Sequence, residues 1–247
     1  MAVHTGFKPS GLLANLLLLF VAASDAKCAP GGNFNLSVFT LQLPTGTPGH
    51  VDTISTSELE GCDGFQDQYF FTNSADGSLG MKVPGTPEDT GCVTTPGSKH
   101  CRTELREKKP SSWSPYDAKN RLSASLAVFE AGGSTCVGQI HIDDSISSKP
   151  VCELYYHDNG DLIMGVEQTT EGGNQKTTTV GNVPLATPFS FEIRYENNKL
   201  SVQVNNEGFQ TLSTYELDGP DSYFKVGNYL QGDSASDIHF YAIEITH

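Results

Sequence analysis

Three short segments of the chain carry cationic, amide, imidazole and phenol groups at alternate positions, and together these groups could grip a carboxylate and move a proton. The segments are Arg102-Thr103-Glu104-Leu105-Arg106, Gln139-Ile140-His141 and Tyr223-Phe224-Lys225-Val226-Gly227-Asn228-Tyr229-Leu230-Gln231. Side chains alternate between the two faces of a β-strand. If each segment is a strand, one face holds the polar set: Arg102, Glu104, Arg106, Gln139, His141, Tyr223, Lys225, Tyr229 and Gln231.

The other face of the same segments is apolar, as expected for strands that cover a core. Leu105, Ile140 and Phe224 alternate with the polar side chains. Taken alone, each segment is typical of an ordinary amphipathic strand with a solvated face. Three such segments in one chain, each with groups suited to the same chemistry, indicate a shared site.

The rest of the sequence is typical of an all-β protein. Its 247 residues include 25 Gly and 13 Pro, which favours many turns over long helices. Alternating runs at 153–157 and 162–167 flank Asp158-Asn159-Gly160-Asp161, a strong hairpin signal because Asn-Gly tolerates positive φ. Runs at 189–195 and 200–204 predict a second hairpin, and a short helix is expected near Ser55–Glu60. Many short strands joined by turns predict a β-sandwich or β-jelly roll.

The first residues have the pattern of a secretory leader. Lys8 precedes an apolar run from Leu12 to Ala23, and small residues follow it. The run is too short for a transmembrane helix and fits a signal peptide. Cleavage after Ala23 or after Ala26 fits the small residues, and we choose Ala26. We therefore expect a signal peptide at residues 1–26, a single domain at residues 27–247, no membrane association and an extracellular location.

Secretion also bears on the six cysteines. An even number in an oxidising compartment favours disulfides, and no Cys-x-x-Cys spacing points to zinc or redox chemistry. The sequence does not fix their connectivity. The pairing that we favour is Cys92–Cys101, which closes a loop rich in Pro and Gly, together with Cys136–Cys152 and Cys28–Cys62.

The acidity of the chain restricts its partners. Asp and Glu number 29 against 15 Lys and Arg, for a net charge of −14. Such a chain does not suit nucleic acid, and an anionic ligand needs a local basic patch. The patch that the sequence offers is Arg102, Arg106, Lys108 and Lys109. Asp143-Asp144 and Asp158-x-x-Asp161 have side chains that could bind calcium, but we interpret both pairs as loop acids. We therefore expect no metal, no cofactor and, by default, a monomer.

Together, the three segments resemble the signatures of the alginate lyases of polysaccharide lyase family 7. They stand as RTELR at 102–106, QIH at 139–141 and YFKVGNYLQ at 223–231, and Val226 departs from the family pattern, which has alanine there. The stretches 33–46 and 237–247 also resemble the opening and closing strands of the family. The resemblance implies an all-β, concanavalin-like β-jelly roll sandwich with a concave substrate cleft.

The resemblance also implies a reaction. These lyases cleave an anionic polysaccharide, alginate or a related polyuronate, by β-elimination: a proton leaves C5, the C4–O bond breaks, and a 4,5-unsaturated sugar remains. Arg102, Gln139 and His141 are expected to neutralise the sugar carboxylate, where donors stabilise the charge of the transition state. Tyr229 is expected to protonate the leaving oxygen. The base is Tyr229 when proton and leaving oxygen lie on one side, and His141 when they lie on opposite sides.

Four further residues are assigned to the substrate-binding surface. They are Glu104, Arg106, Lys225 and Gln231, with Glu104 holding the two arginines in place. A free tyrosine has a pKa of about 10. Nearby cations stabilise phenolate, so Arg102, Arg106 and Lys225 are expected to lower the pKa of Tyr229.

Three alternative functions stay open. A glucuronan lyase shares this architecture, although Ile140 within QIH is associated in the family with guluronate-containing substrates. A non-catalytic carbohydrate-binding module has a similar sandwich but would not need both His141 and Tyr229. A glycoside hydrolase needs two carboxylates flanking the bond, and Glu104 is the only acid within the three segments.

Overall fold

The computed structural model of the protein describes residues 28–247, and the signal peptide expected at residues 1–26 lies outside this range. The described chain forms two antiparallel β-sheets. Its strands are β1 (Phe39–Thr47), β2 (His50–Ile54), β3 (Phe70–Thr72), β4 (Leu79–Val83), β5 (Arg102–Glu107), β6 (Arg121–Glu130), β7 (Ser134–Ile142), β8 (Pro150–His157), β9 (Asp161–Val166), β10 (Lys176–Asn182), β11 (Phe189–Glu196), β12 (Lys199–Val204), β13 (Gln210–Leu212), β14 (Ser222–Leu230) and β15 (Ser236–Thr246). Three short helices are α1 (Pro30–Asn33), α2 (Thr56–Leu59) and α3 (Pro87–Thr90).

One sheet carries all three polar segments on neighbouring strands. Its eight strands run in the order β10-β9-β8-β7-β14-β5-β1-β2, so that β7, β14 and β5 are adjacent. We call it the site sheet. The second sheet has seven strands in the order β13-β12-β11-β6-β15-β4-β3. Two such sheets packed face to face confirm the predicted all-β jelly-roll sandwich.

Large apolar side chains fill the space between the two sheets. On β11 the inward positions are Phe189, Phe191, Ile193 and Tyr195. From the site sheet, the side chains that enter the same core include Leu105, Ile140, Phe224 and Val226. Burying one such side chain contributes about 1.5–3 kcal/mol. This burial fixes which face of the site sheet is left for the polar groups, as the alternation predicts.

Asn228 is the one break in the alternation of β14, and the core accommodates it through hydrogen bonds. The residue is 0% exposed. Its Nδ2 donates to the Met81 carbonyl at 3.0 Å, and its Oδ1 accepts from Thr135 and Ser236 at 2.8 and 2.7 Å. Every polar atom of the amide group is therefore paired, as buried polar groups require.

The local predictions of turns and of the short helix are confirmed. β8 and β9 form the hairpin across Asn159-Gly160, where Gly160 has a φ of 85° and an added Cβ would lie 2.5 Å from the Val183 carbonyl oxygen. β11 and β12 form the second hairpin, with Asn197 and Asn198 at positive φ. α2 lies within the stretch expected to be helical.

Two of the three predicted disulfides are formed, Cys28–Cys62 and Cys92–Cys101. The prediction of Cys136–Cys152 is wrong, because both residues are reduced and buried. They occupy adjacent strands but point to opposite faces. Cys152 lies in the core beside Ile140, whereas Cys136 is in register with Tyr155 and Tyr229 on the polar side.

Within residues 28–247, helices are too short and polar to cross a membrane.

Candidate active site

Four polar side chains form a row across the site sheet. Cα pairing places Arg106 of β5 opposite Lys225 of β14, Lys225 opposite Gln139 of β7, and Gln139 opposite Glu153 of β8. We call this row the central rung. Three of its four members were predicted as site residues from separate segments, so hydrogen-bonded pairing of β5, β14 and β7 brings the predicted groups together.

A cavity of about 370 Å³ lies over this polar face, and we call it the cleft. Its lining residues are Gln42, Thr95, Pro96, Gly97, Ser98, Arg102, Arg106, Gln139, His141, Asp144, Ser148, Lys149, Pro150, Glu153, Glu167, Tyr223, Lys225 and Tyr229. All four residues predicted as catalytic belong to this lining, as do Arg106 and Lys225. Glu104 and Gln231 do not.

Glu104 is a buried hub beneath the cleft. It is 1% exposed, and its carboxylate accepts from Arg102 Nη1 at 3.0 Å, Lys225 Nζ at 2.5 Å and Gln139 Nε2 at 2.5 Å. Burial acts to raise the pKa of Glu104, but the charges of Lys225 and Arg102 outweigh it and lower the pKa. Glu104 therefore orients the groups that face the cleft. The prediction that it holds both arginines is wrong for Arg106.

The remaining charge of this hub depends on Lys225. Two cations and one carboxylate leave one net positive charge under the cleft floor when Lys225 is protonated. Burial, and then the charge of Arg102, lower the pKa of Lys225 to about 8 even though Glu104 acts to raise it. At neutral pH the positive charge of the cleft floor can attract a sugar carboxylate. In mild alkali Lys225 loses its proton, and the floor loses this positive charge.

Tyr229 stands at one side of the central rung, packed against Arg102. The Arg102 guanidinium carbon lies 3.7 Å from the centre of the phenol ring, and the hydroxyl lies 3.0 Å from Ser98 Oγ. Burial raises the pKa of Tyr229, and the lowering effect of Arg102 does not overcome it. The prediction of a lowered phenol pKa is therefore wrong. The phenol is protonated at neutral pH and is available as a proton donor.

His141 stands on the other side of the central rung and is neutral. Its Nδ1 lies 2.8 Å from the Ile142 carbonyl oxygen, which can only accept, so Nδ1 carries the hydrogen and Nε2 keeps its lone pair. The ring stacks on Tyr223 with centroids 5.1 Å apart. Burial and the charge of Lys225 lower its pKa to about 4. This imidazole is arranged to accept a proton rather than to donate one.

Asp144 closes the wall beside His141. It lies in the loop between β7 and β8, as predicted, but its contacts with the cleft were not predicted. Its carboxylate accepts from Arg106 Nη2 at 2.6 Å and from the Tyr223 hydroxyl at 2.9 Å. The Arg106 guanidinium also lies 4.2 Å from the centre of the Tyr223 ring. Arg106 is thus held by Asp144 and Tyr223. No pattern in the sequence indicated this contact, because Asp144 is far from both partners along the chain.

The opposite wall comes from the loop between α3 and β5. Thr95, Pro96, Gly97 and Ser98 line the cleft there. The Cys92–Cys101 disulfide ties the two ends of this loop, and Arg102 follows directly. Arg102 Nη2 donates to Ser98 Oγ at 3.4 Å. The loop was predicted from its Pro and Gly content, but its contacts with Arg102 and Tyr229 were not.

The predicted basic patch is only partly present. Lys108 and Lys109 are exposed and lie outside the cleft lining, whereas Lys149 belongs to it. Gln231 also lies outside the lining, and its Nε2 donates to the Tyr229 carbonyl at 3.4 Å. Alternation predicts which face of a strand a residue lies on, but it does not predict where along the strand the cleft ends. For this reason residues at the ends of the segments were assigned to the site.

The residues described hold no group of three or more His, Cys, Asp or Glu side chains that could bind a metal ion.

A jelly-roll sandwich whose cleft has a cationic floor, a phenol and an imidazole is suited to binding an anionic ligand and moving a proton on it. The sequence profile of the alginate lyase family matches residues 34–247, and the chain belongs to this family. It is similar to a curated alginate lyase of Klebsiella pneumoniae. The alignment, gaps included, extends over 311 residues with 26% identity, and it covers 97% of this chain and 98% of the relative. The chain is therefore a polysaccharide lyase of the alginate lyase type.

Solved structures agree with this assignment. Alginate lyase A1-II', a member of polysaccharide lyase family 7, matches with a TM-score of 0.75 and 27% identity over 89% of this chain and 98% of its own. An alginate lyase of Pseudomonas aeruginosa matches with a TM-score of 0.73 and 28% identity over 86% and 99%. A variant of A1-II' in complex with a substrate written GGMG matches with a TM-score of 0.76 and 27% identity over 89% and 97%.

Proposed function

We propose that this protein is a secreted lyase that cleaves alginate in the cleft by β-elimination, with Tyr229 as acid and His141 as base. The observation that carries the proposal is the position of the Tyr229 phenol and the His141 imidazole on either side of one cation network. The Tyr229 phenol keeps its proton, and the His141 Nε2 keeps a free lone pair. Proton donor and proton acceptor are therefore both ready at neutral pH.

The network between them fits the carboxylate of the reacting sugar. Arg102 carries a fixed positive charge, and Gln139 lines the cleft beside it. Glu104 holds both from below, which leaves less reorganisation to be made when charge develops on the sugar carboxylate. Neutralising that carboxylate makes the C5 proton acidic enough to be removed.

The proposed reaction has two proton transfers, one to His141 and one from Tyr229. His141 Nε2 takes the C5 proton, and the C–H electron pair moves to form the C4–C5 double bond. The C4–O bond breaks, and its electron pair leaves with the oxygen, which takes the proton of the Tyr229 hydroxyl. Solvent restores both side chains. No step requires a metal ion.

Strand positions favour proton removal and leaving-group protonation from opposite sides. Along β14, Tyr223 pairs with His141 on one side of Lys225, and Tyr229 lies on the other side. A sugar lying along the central rung has His141 and Tyr229 at opposite flanks. This arrangement suits guluronate units, in which the C5 proton and the leaving oxygen lie on opposite sides.

One assay tests the proposed function against its alternatives. Purified protein is offered alginate, polymannuronate, polyguluronate and glucuronan, and the ultraviolet absorbance of the 4,5-unsaturated product is followed. We expect absorbance with alginate and faster cleavage of polyguluronate than of polymannuronate. Absorbance with glucuronan alone would identify a glucuronan lyase. New reducing ends without ultraviolet absorbance would identify a hydrolase. Absence of both signals would identify a non-catalytic binding module.

A further inference from the structure

The Asp144 carboxylate lies in the cleft between two hydrogen-bond donors. Its Oδ2 accepts from Arg106 Nη2 at 2.6 Å, and its Oδ1 accepts from the Tyr223 hydroxyl at 2.9 Å. All three side chains line the cleft. Arg106 and Tyr223 thus bind a carboxylate at two points, and we call these two donors the Arg106–Tyr223 site. The carboxylate that fills this site belongs to the protein itself.

Arg106 has hydrogen-bonding capacity that Asp144 does not use. Its Nε is buried and, within residues 28–247, has no hydrogen-bond partner. The contact with Asp144 uses Nη2 alone, whereas guanidinium and carboxylate groups frequently form two parallel hydrogen bonds. The guanidinium is positioned over the Tyr223 ring, 4.2 Å from the ring centre. A carboxylate that takes the place of Asp144, without the tether to the protein chain, can pair with both nitrogen atoms.

The Asp144 side chain is easy to displace from this site. It is 56% exposed and lies in the loop between β7 and β8. An ion pair in contact with solvent contributes little to stability, because water competes for both charges. Other contacts fix the loop backbone: Asp143 N donates to the Asp221 carbonyl at 2.8 Å, and Asp143 Oδ1 accepts from Ser145 N at 2.9 Å. Rotation of the Asp144 side chain alone therefore empties the site.

Asp144 carries the same charge as a uronate carboxylate. Burial acts to raise the pKa of Asp144, but the hydrogen bonds from Tyr223 and Arg106 outweigh it and lower the pKa. The carboxyl group is therefore ionised at neutral pH. A sugar carboxylate and Asp144 present the same functional group, in the same charge state, to the same two donors. They cannot occupy the site together.

The Arg106–Tyr223 site is separate from the place of the reacting carboxylate. Arg102 contacts the ring of Tyr229, whereas Arg106 contacts the ring of Tyr223. These two tyrosines are six residues apart on β14, which is roughly 20 Å along a strand. One carboxylate cannot contact both guanidinium groups in these positions. A carboxylate at the Arg106–Tyr223 site therefore comes from a different sugar unit.

We propose that Asp144 is an internal competitor of the substrate: it occupies the Arg106–Tyr223 site until the carboxylate of a second uronate unit of the same polymer displaces it. The proposal rests on the proposed function, because it requires a polyuronate in the cleft. Part of the binding free energy of the polymer is then used to displace Asp144. The return of Asp144 helps the cleaved product to leave. The identity of residue 144 thus sets the affinity of the cleft without touching the reacting bond.

Binding measurements test this competition without any need for turnover. Alginate oligomers are titrated by calorimetry into Tyr229→Phe and into the same variant with Asp144→Asn added. Asparagine keeps the size of the side chain and removes its charge. The salt concentration is about 0.15 M, which screens more distant charges. We expect roughly threefold to fivefold tighter binding when Asp144 is changed, the size of effect that a partly exposed ion pair allows.

Two controls separate loss of this contact from a change in net charge. The first is Tyr229→Phe/Asp143→Asn. Asp143 lies outside the cleft lining and pairs with Ser145, and asparagine can accept the same backbone hydrogen bond. The second compares Tyr229→Phe/Arg106→Gln with and without Asp144→Asn. In both controls we expect the dissociation constant to change by less than about 1.5-fold, because only screened, distant charge effects are left.

Turnover provides a second readout in the active enzyme. Asp144→Asn should raise kcat/KM on alginate severalfold through a lower KM. It should also strengthen inhibition by the unsaturated product, because substrate and product both lose their competitor. An unchanged KM together with unchanged product inhibition would contradict the proposal.

The binding experiment has three results that would overturn the proposal. Unchanged or weaker binding after Asp144→Asn would show that Asp144 only holds Arg106 in place. An equal gain from Asp143→Asn, or an equal gain in the absence of Arg106, would show a general effect of charge. Absence of oligomer binding in every variant would overturn both the competition and the proposed function. Binding without ultraviolet absorbance from the wild type on any polymer would contradict the lyase function alone, and the affinities would still decide the role of Asp144.

Discussion

The guanidinium of Arg102 lies over the ring of Tyr229, with its central carbon 3.7 Å from the ring centre. The two residues face each other across β5 and β14, as register partners. The guanidinium thus contacts the phenol ring, while its Nη1 donates to Glu104. The residue expected to neutralise the sugar and the residue expected to protonate the leaving oxygen therefore form one unit.

Tyr229→Phe should abolish turnover and leave oligomer binding largely intact. The phenylalanine ring keeps the contact with Arg102 but has no proton to give. Loss of a general acid costs roughly a hundredfold to ten-thousandfold in rate. The measurement is kcat from ultraviolet absorbance together with the affinity for alginate oligomers by calorimetry. Full activity in this variant would remove Tyr229 from the mechanism.

Glu104→Gln should destabilise the protein as well as slow it. The change leaves Arg102 and Lys225 buried without their carboxylate, and breaking a buried ion pair from one side costs about 3–5 kcal/mol. Urea unfolding measures the loss. Glu60→Gln, at an exposed site, is the control and should change the unfolding free energy by less than about 0.5 kcal/mol. An equal, small effect for both variants would show that Glu104 is not a hub.

Activity should fall as the pH rises through about 8, because Lys225 then loses its charge. The pKa of Lys225 is lowered relative to its value of 10.5 in the unfolded chain. Between these values the unfolded state binds the extra proton, so deprotonation of Lys225 by itself makes unfolding harder as pH rises. Loss of kcat/KM above pH 8 should thus precede any unfolding. Lys225→Arg should move this alkaline limb upward, since arginine stays charged. A profile of kcat/KM that is flat to pH 9.5 would contradict the role.

His141 should stay neutral down to about pH 4. Proton-detected NMR of the ring, assigned with His141→Gln, should give a midpoint near 4 rather than near 6.5. In the unfolded chain this histidine takes up its proton near pH 6.5, so its contribution to stability is lost as pH falls from 6.5 to 4. A midpoint at 6 or above would mean that the ring is solvated or paired with a carboxylate.

The Cys92–Cys101 disulfide should matter more for activity than for the fold. It ties the loop that places Ser98 beside Arg102 and Tyr229, and it crosslinks a short stretch of chain. Closing a loop of this size contributes roughly 2–3 kcal/mol. The double variant Cys92→Ser/Cys101→Ser should therefore remain folded by circular dichroism but show a clear loss of kcat/KM. Unchanged kinetics would indicate that the wall keeps its shape without the disulfide.

Much of the fold and the centre of the site could be predicted from period-two alternation. It separated Leu105 from Arg102, Ile140 from His141 and Phe224 from Lys225, and the structure confirms each separation. Pairing between distant strands could not be predicted, so the contacts of Asp144 and Ser98 and the position of Glu153 came only from the structure.

Two further errors have a local physical cause. Cys152 is in register with Ile140, several residues along β7 from Cys136, and a β-bulge between Cys136 and Gly138 turns Cys136 to the polar side, so the two cysteines cannot meet. The pKa of Tyr229 was misjudged because counting nearby cations omits the cost of burying the phenolate, which is larger here.

The side-chain amide of Asn228 fixes the register of β14 and therefore the side of the sheet on which its neighbour Tyr229 lies. Its hydrogen bonds reach Thr135 within the site sheet, and Met81 and Ser236 of the opposite sheet. Sliding β14 by one residue would turn the phenol into the hydrophobic interior and bring Asn228 to the sugar side. These bonds make that slip costly. Redesign of this enzyme for other polymers can therefore exchange residues along the walls, while the buried carboxamide is left untouched as the anchor of the strand that bears the phenol.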